Sequence, residues 1–247
     1  MTEKKILVSL DFDHTIIDDN SDTHVTKLLP NGEVPEDTKS MYSNKNWTRY
    51  MGAIFEDLHK QGVLAAQIHK CMHEIEFTQG MTELIKYLGT SDRFEVIIIS
   101  DSNSIFIDTI LEASDLKQYV DEVYTNPAEF DCNGCLRINN YHTQDWCDLS
   151  TINLCKGHIL ETHIAKQKSN GIQYQKIAYI GDGSNDLCAC LKLGQDDLIF
   201  PRRGFRLLKK IEAIKESNGQ EDVPMPLEAS IHPWDNALHI EEVLHSL

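Results

Sequence analysis

Read by polarity, the chain alternates short, nearly unbroken apolar runs with longer stretches whose apolar residues recur every three or four positions. The runs are Ile6-Leu7-Val8-Ser9-Leu10, Phe94-Glu95-Val96-Ile97-Ile98-Ile99, Lys176-Ile177-Ala178-Tyr179-Ile180 and the shorter Leu198–Phe200. Their length and β-branched content predict strands buried on both faces. Helical spacing predicts a pair over Trp47–Gln61 and Leu64–Glu76, carried by Trp47, Tyr50, Met51, Ile54, Phe55 and Leu58, then Leu64, Ile68, Met72 and Ile75, with a break at Gly62. Further helices are expected over Met81–Leu88, Ile105–Ser114, Leu187–Leu193 and Phe205–Lys215, and another from Lys156 onward. Glu122–Tyr124 reads as a short strand, Asn133-Gly134 as a hairpin turn and Asn218–Pro226 as a polar loop. Such alternation predicts an α/β fold: a parallel sheet covered by helices on both faces.

Three of the apolar strands run straight into polar clusters. They are Asp11/Asp13, Ser100/Asp101 and Asp182/Asp186. Parallel sheets of this kind bind ligands beyond the carboxyl ends of their strands, so three such clusters are expected to meet at one edge. In an extended strand, Asp11 and Asp13 would point the same way and face one site. Roughly 90 residues separate Asp11 from Ser100, whereas a strand–helix–strand crossover needs only about 30. The surplus holds the helical pair, so residues 20–78 read as a helical cap inserted after the first strand, with 1–19 and 79–247 forming the core. A lid of this kind excludes water and selects the substrate.

The bulk numbers narrow the partners. With 247 residues, 41% hydrophobic and 25% charged, the chain suits one large soluble domain or a domain carrying an insert. A net charge of −16 disfavours nucleic acid and anionic membrane surfaces as partners, but not a phosphate ester accompanied by a cation. No run reaches the roughly 18 apolar residues of a membrane span, and the N-terminus lacks the apolar core of a signal peptide. A cytoplasmic location is the default expectation. The seven cysteines are an odd number and are expected to be reduced. Cys132-Asn133-Gly134-Cys135 is a lone CxxC that reads equally well as a turn. Cys147 and Cys155, with His142 nearby, are poorly spaced for zinc.

The clusters suit phosphoryl chemistry. Asp11 could attack phosphorus, giving an aspartyl phosphate, while Asp13 protonates the leaving alkoxide and later takes a proton from water. Asp11, the main-chain carbonyl of Asp13, and Asp182 could ligate Mg²⁺, with Asp186 orienting Asp182 or a metal-bound water. Ser100 could hold a phosphoryl oxygen and Lys156 could balance the charge shared by carboxylate and phosphate. Gly181 and Gly183 would allow a tight turn close to the ligand. Each signal alone has a plain alternative: a solvated turn after a strand for Asp11/Asp13, a surface lysine, a strand-end serine, a calcium-type or simple turn at Gly181–Asp186. Their joint order carries the weight.

In that order, Asp11-Phe12-Asp13-His14-Thr15, Ser100, Lys156 and Gly181-Asp182-Gly183-Ser184-Asn185-Asp186 resemble the four motifs of the haloacid dehalogenase superfamily of phosphatases. The strings Asp11–Asp22, Ser100–Ser104, Thr125–Phe130 and Asn153–Gly157 resemble one branch, the phosphoethanolamine/phosphocholine and pyridoxal-phosphate phosphatases. The resemblance implies a Rossmann-like core, a cap after the first motif and Mg²⁺-dependent hydrolysis of a small phosphorylated metabolite. It puts the nucleophile and proton donor on Asp11 and Asp13, and the metal on Asp11, Asp13 and Asp182. Substrate contacts fall on Asp22 and Asp101, with Thr15, Ser100 and Lys156 around the phosphate. A carboxylate beyond the phosphate suits a cationic head group; Asp22 could equally be a helix N-cap. His14 either tunes Asp13 or fills space. Ser150 stands where this branch leads one to expect another cysteine, which further weakens zinc.

The expected function is Mg²⁺-dependent hydrolysis of phosphoethanolamine, phosphocholine or pyridoxal 5′-phosphate through an aspartyl-phosphate intermediate. The alternatives are the same chemistry on another small ester or pyrophosphate, a protein phosphatase or phosphomutase, or a non-catalytic protein that binds a phosphometabolite. The choice of ester and the oligomeric state are not legible in the residues.

Overall fold

The computed structural model describes residues 3–43, 46–216 and 227–247. In chain order the elements are β1 (Glu3–Leu10), α1 (Ser21–His24), α2 (Glu36–Lys39), α3 (Trp47–Lys60), α4 (Ala65–His73), α5 (Met81–Gly89), β2 (Phe94–Asn103) and α6 (Ser104–Ala113). They continue with β3 (Glu122–Asn126), β4 (Ala128–Phe130), β5 (Leu136–Ile138), α7 (Lys156–Ser169), β6 (Ile172–Gly181), α8 (Leu187–Cys190), β7 (Leu198–Pro201), α9 (Arg206–Glu216), β8 (Ser230–Ile231) and α10 (Ala237–His245).

Six strands form one sheet in the order β3-β2-β1-β6-β7-β8, and every neighbouring pair is parallel. The period-2 alternation of side chains splits each central strand between two cores. Ile6, Val8 and Leu10 of β1 and Val96 and Ile98 of β2 face the core built with Leu84, Leu88, Phe106, Ile110 and Ile240. Leu7, Ile97, Ile99 and Tyr179 face the opposite core with Ile159, Leu160, Leu193, Leu207 and Ile211. Helices α5, α6 and α10 thus cover one face and α7, α8 and α9 the other, as the near-continuous apolar runs predict. The strand order reverses at β1, which lies between β2 and β6; the crevice at its carboxyl end is where such a sheet takes a ligand.

The expected extended run through Asp13 is corrected. β1 ends at Leu10, and the chain then coils into a turn in which the amides of Thr15, Ile16 and Ile17 all donate to the Phe12 carbonyl. His14 takes a left-handed conformation with φ 54° inside this turn. Arg202, just past β7, clamps it from outside, donating to the His14 carbonyl and, at 2.6 Å, to Asp18. Its guanidinium also lies over the rings of Phe205 and Trp234. Asp11 and Asp13 therefore reach their surroundings from a strand end and a turn, not from consecutive positions on one strand face.

Past this turn the chain leaves the sheet at Ile17 and returns at Phe77, where the two residues form an antiparallel bridge. The amides of Asp18 and Thr78 donate to the carbonyls of Glu76 and Ile16 on either side. Among the described residues between them there are helices, turns and coil but no strand. Met51, Ile54, Phe55, Leu58, Ile68 and Met72 on α3 and α4 pack inward and join the α5/α6 core. The β4/β5 hairpin leans against α3: the Cys135 thiol donates to the Phe55 carbonyl and Arg137 pairs with Glu56 at 2.7 Å.

Most boundaries fall within a few residues of the expected ones. β2 and β6 run longer than their apolar cores, and α8 stops at Cys190 short of Leu193. β8, two residues long, carries no pattern to read, and α10 is not among the expected elements although Ala237, Ile240 and Leu244 recur at helical spacing. The expected loop at Asn218–Pro226 lies outside the described residues.

Candidate active site

The expected clusters meet at the carboxyl edge of β1, β2 and β6. Asp11 is buried; its Oδ1 accepts the Phe12 amide at 2.7 Å and its Oδ2 lies 2.6 Å from the Lys156 Nζ. Lys156 opens α7, is wholly buried, and also donates to Asp186 Oδ1 at 2.7 Å. Burial alone would lower the lysine's pKa, but the carboxylates of Asp11 and Asp186 outweigh it and raise the value, so the ammonium stays charged. Asp11 is pushed the other way. Its own burial, then the neighbouring Asp186, raise its pKa well above the usual range, against the pull of Lys156.

Asp186 has no free capacity. Tyr179 Oη donates to its Oδ1 at 2.7 Å beside Lys156, while the amides of Asp182 and Gly183 donate to Oδ2 at 3.0 and 2.8 Å. This bends the β6 end into a loop that presents Asp182. Gly181 is obligatory there, since a Cβ on it would come within 2.5 Å of Asp186 Oδ2. Asp182 itself accepts only a long 3.5 Å contact from the Thr15 hydroxyl, and burial followed by the charge of Asp186 pushes its pKa up to about 8.

Asp13 is buried beside this group but answers to a different set of partners. Its Oδ1 accepts the Ser21 amide at 2.9 Å and its Oδ2 the Asn20 side-chain amide at 3.2 Å. Burial pushes its pKa up to about 7, against those Ser21 hydrogen bonds. Ser100 is buried on β2, its oxygen accepting the Ser102 amide at 3.2 Å. Asp101, half-buried, accepts from Asn185 Nδ2 at 3.0 Å.

Asp22 lies in the first turn of α1 and does not cap it; Asn20 does, accepting the Thr23 amide. The side chain is 2% exposed, with Oδ2 taking the Trp47 indole N–H at 2.6 Å and Oδ1 lacking a hydrogen-bond partner. Burial and then the nearby Asp13 raise its pKa well above the usual range. The amide of Asn103 also lacks a hydrogen-bond partner of good geometry, although it is close enough to lower that pKa. His14 turns its ring onto Phe205, centroids 5.4 Å apart, so it packs the turn rather than serving Asp13.

The arrangement crowds carboxylates around one buried ammonium. One oxygen from each of Asp11, Asp182 and Asp186 falls within 4.8 Å of the others. Hard oxygen donors crowded together, with the pKa values of Asp11 and Asp182 raised by burial and then by the charge of Asp186, fit a small divalent cation, which would offset that charge. Because Asp186 is saturated by four donors, Asp11 and Asp182 are the carboxylates with capacity to spare. A cavity of about 860 Å³ is an open groove between α3 and the β5 loop lined by Arg49, Glu56 and Arg137, apart from this chemistry. Tyr179, Asn185, Trp47 and Arg202 were not legible as site residues. Tyr179 reads as a core aromatic, and the other three gain meaning only from partners 84 to 188 positions away or, for Trp47, from the fold of the segment that carries it.

Known proteins point the same way. A family model described as "Putative Phosphatase" matches residues 6–247. The chain is 42% identical to mouse pyridoxal phosphate phosphatase PHOSPHO2 over 237 residues, covering 96% of this chain and 95% of that one. It is 30% identical to human phosphoethanolamine/phosphocholine phosphatase over 247 residues, covering 98% and 90%. Among solved structures, a substrate-bound phosphoserine phosphatase superposes with a TM-score of 0.61 at 19% identity, over 99% of both chains.

Proposed function

This chain belongs to that family of phosphatases, within the haloacid dehalogenase superfamily, and from that premise we propose an Mg²⁺-dependent phosphomonoester hydrolase working through a phosphorylated Asp11. The observation that carries this reading is the Asp11–Lys156 contact, a nucleophilic carboxylate held beside a fixed buried cation at the mouth of the sheet.

In this mechanism Asp11 attacks phosphorus and the ester bond to the leaving alkoxide breaks. Asp13 delivers a proton to that alkoxide, then accepts one from the water that attacks the aspartyl phosphate. A carboxyl poised near neutrality by burial suits both duties. Lys156 and the Ser100 hydroxyl hold phosphoryl oxygens, and Lys156 balances charge that moves from nucleophile to phosphate. Asp11, the Asp13 carbonyl and Asp182 would hold Mg²⁺, with Asp186 keeping Asp182 in place. Bound there, the cation supplies charge neutralisation for the phosphoryl group and its carboxylate neighbours.

The helices of residues 20–78 act as the lid and carry the selectivity. Asp22, with an oxygen lacking a hydrogen-bond partner, and Asp101 favour a head group with positive charge, and the Trp47 ring beside Asp22 offers a flat wall. Pyridoxal 5′-phosphate and phosphoethanolamine both fit that description. The higher identity to the pyridoxal-phosphate enzymes puts the former first. No helix among the described residues is long and apolar enough to cross a membrane, and we place the enzyme in the cytoplasm with a small metabolite as its partner.

The test has two arms. Brief exposure to substrate with Mg²⁺, quenched in acid, is expected to leave a phosphoryl group on Asp11 by mass spectrometry, and Asp11→Asn to carry none. Comparing kcat/KM across a panel of monophosphates then ranks the substrates. Turnover retained by Asp11→Asn would end the nucleophile assignment.

A further inference from the structure

One residue before Lys156 and two after Asp186 stand Cys155 and Cys188, which the proposed reaction leaves unused. Their sulfurs and that of Cys147 all lie within 4.8 Å of one another. Cys155 and Cys188 are buried and Cys147 is half-buried. The Ser150 hydroxyl lies in the same cluster, 3.0 Å from the Cys188 sulfur and 3.5 Å from that of Cys147. Three thiols and one hydroxyl therefore converge from three separate segments: the loop before α7, the first residue preceding α7, and α8.

We propose that Cys147, Cys155 and Cys188 form a structural zinc site, with oxygen from Ser150 or a water it holds in the fourth position. This goes beyond the phosphatase reading and does not depend on it.

Ligand chemistry and space both favour zinc. Soft thiolates select Zn²⁺ over Mg²⁺, so the carboxylate group and the thiol group would sort their cations by hardness. Tetrahedral Zn–S bonds of about 2.3 Å put sulfurs roughly 3.8 Å apart, so the observed spread closes with small side-chain shifts. A disulfide would need two sulfurs at about 2.05 Å and would leave the third thiol stranded. The cluster is also prepared for negative charge. The Ser150 hydroxyl lies within hydrogen-bonding distance of both the Cys188 and the Cys147 sulfurs. The Gly157 amide donates to the Cys188 sulfur at 3.3 Å. Donors from several sides already point at shared sulfurs, as they do around metal-bound thiolates. On binding, the remaining thiol protons would leave to solvent.

Sequence spacing hides this site. Cys188 comes 33 positions after Cys155, inside the helix that follows the Asp182–Asp186 loop, so no run of cysteines announces it. The CxxC that does stand out is not involved: Cys132 is exposed and Cys135 points to the Phe55 carbonyl. Gly157 shows how closely the parts are joined, since a Cβ there would meet the Cys188 carbonyl at 2.7 Å. A metal at this junction would tie the start of α7 to α8 and so keep Lys156 and Asp186 in register.

The purified, reduced full-length chain is first analysed for bound metals, then stripped with a thiol-compatible chelator and titrated with Co²⁺. Expected are a single equivalent of zinc as purified and, with Co²⁺, the intense near-ultraviolet thiolate-to-cobalt band, reversed by added Zn²⁺. Cys147→Ser, which alters a half-buried position, should weaken cobalt binding at least about tenfold, and Ser150→Cys should tighten it by a similar factor. Cys132→Ser should change nothing. The proposal is overturned if the reduced wild-type chain shows no thiolate band at saturating Co²⁺. It is equally overturned if Ser150→Cys and Cys147→Ser bind cobalt as wild type does, or if protein handled without oxidant carries a Cys155–Cys188 disulfide.

Discussion

The Lys156 ammonium sits between two carboxylates, 2.6 Å from Asp11 and 2.7 Å from Asp186, with all three side chains almost wholly removed from solvent. Neither contact is a surface ion pair of negligible worth. Removing the cation would strand two like charges in a low-dielectric pocket, and one of them also serves Tyr179 and two amides. Lys156→Ala is therefore expected to lower the unfolding free energy by about 3–5 kcal/mol, read by urea denaturation, and to abolish turnover. A destabilisation below about 1 kcal/mol would show that the pocket takes up water or a cation in place of the ammonium.

Asp11→Asn should separate activity from stability. Hydrolysis is expected to fall by at least about a thousandfold. The metal-free variant should nevertheless melt higher than metal-free wild type, because burial and Asp186 disfavour the ionised Asp11. Added Mg²⁺ should stabilise wild type and narrow that gap. Thermal melts with and without chelator decide it; equal melting of the two metal-free proteins would contradict the repulsion inferred here.

Burial, reinforced by the neighbouring carboxylates, sets a pH dependence for metal-stripped wild type. Asp13 and Asp182 have folded-state values raised to about 7 and about 8 from an ordinary 3.8. Between these limits the folded state binds more protons than the unfolded one, so stability falls as pH rises. The contribution is complete below about 3.8 and is lost by about pH 8. Saturating Mg²⁺ should flatten the curve. Urea midpoints across this range, with and without Mg²⁺, provide the comparison.

Substrate choice should respond to the Asp22–Trp47 pair. Asp22→Asn keeps the volume and removes the charge, and is expected to cut the preference for cationic over neutral esters by about tenfold or more, which corresponds to about 1.4 kcal/mol. Trp47→Phe keeps a ring but frees the Asp22 Oδ2 from its indole partner, so affinity should change for flat substrates more than for ethanolamine-like ones. The readout is kcat/KM on matched ester pairs. Unchanged ratios in both variants would remove the head-group assignment.

Gly181→Ala tests the loop geometry. The added Cβ would press on Asp186 from 2.5 Å, displacing the residue that positions Asp182 and Lys156. A large loss of kcat and weaker Mg²⁺ activation are expected, with the fold retained by circular dichroism.

What could be read in advance follows from the kind of signal each residue carries. Leu7 and Ile97 announce a buried parallel strand because their neighbours on both sides are apolar as well, and Asp11, Ser100 and Asp182 become conspicuous by ending such runs. Lys156 gains meaning from its order among them. Tyr179 gives no such warning: it lies within an apolar run and packs in the core, yet its hydroxyl reaches Asp186. Arg202 is an ordinary basic residue until the sheet carries it alongside the turn at His14, and Cys188 is one thiol among seven until α8 meets the start of α7. The turn that separates Asp11 from Asp13 was hidden because the amides of Thr15, Ile16 and Ile17, not their side chains, wind it around one carbonyl.

The bridge between Ile17 and Phe77 gives the helical segment a doorway only one residue pair wide. A stretch whose ends meet leaves the sheet at a single point, so a replacement that keeps the α3 and α4 packing and the Asn20 and Ser21 contacts to Asp13 can leave in place the strands that fix Asp11, Ser100 and Asp182. If this segment selects the substrate, as proposed, selectivity can change while the chemical centre stands still. Chimeras that swap residues 18–76 between relatives with different preferences should inherit the specificity of the donor and the turnover of the host.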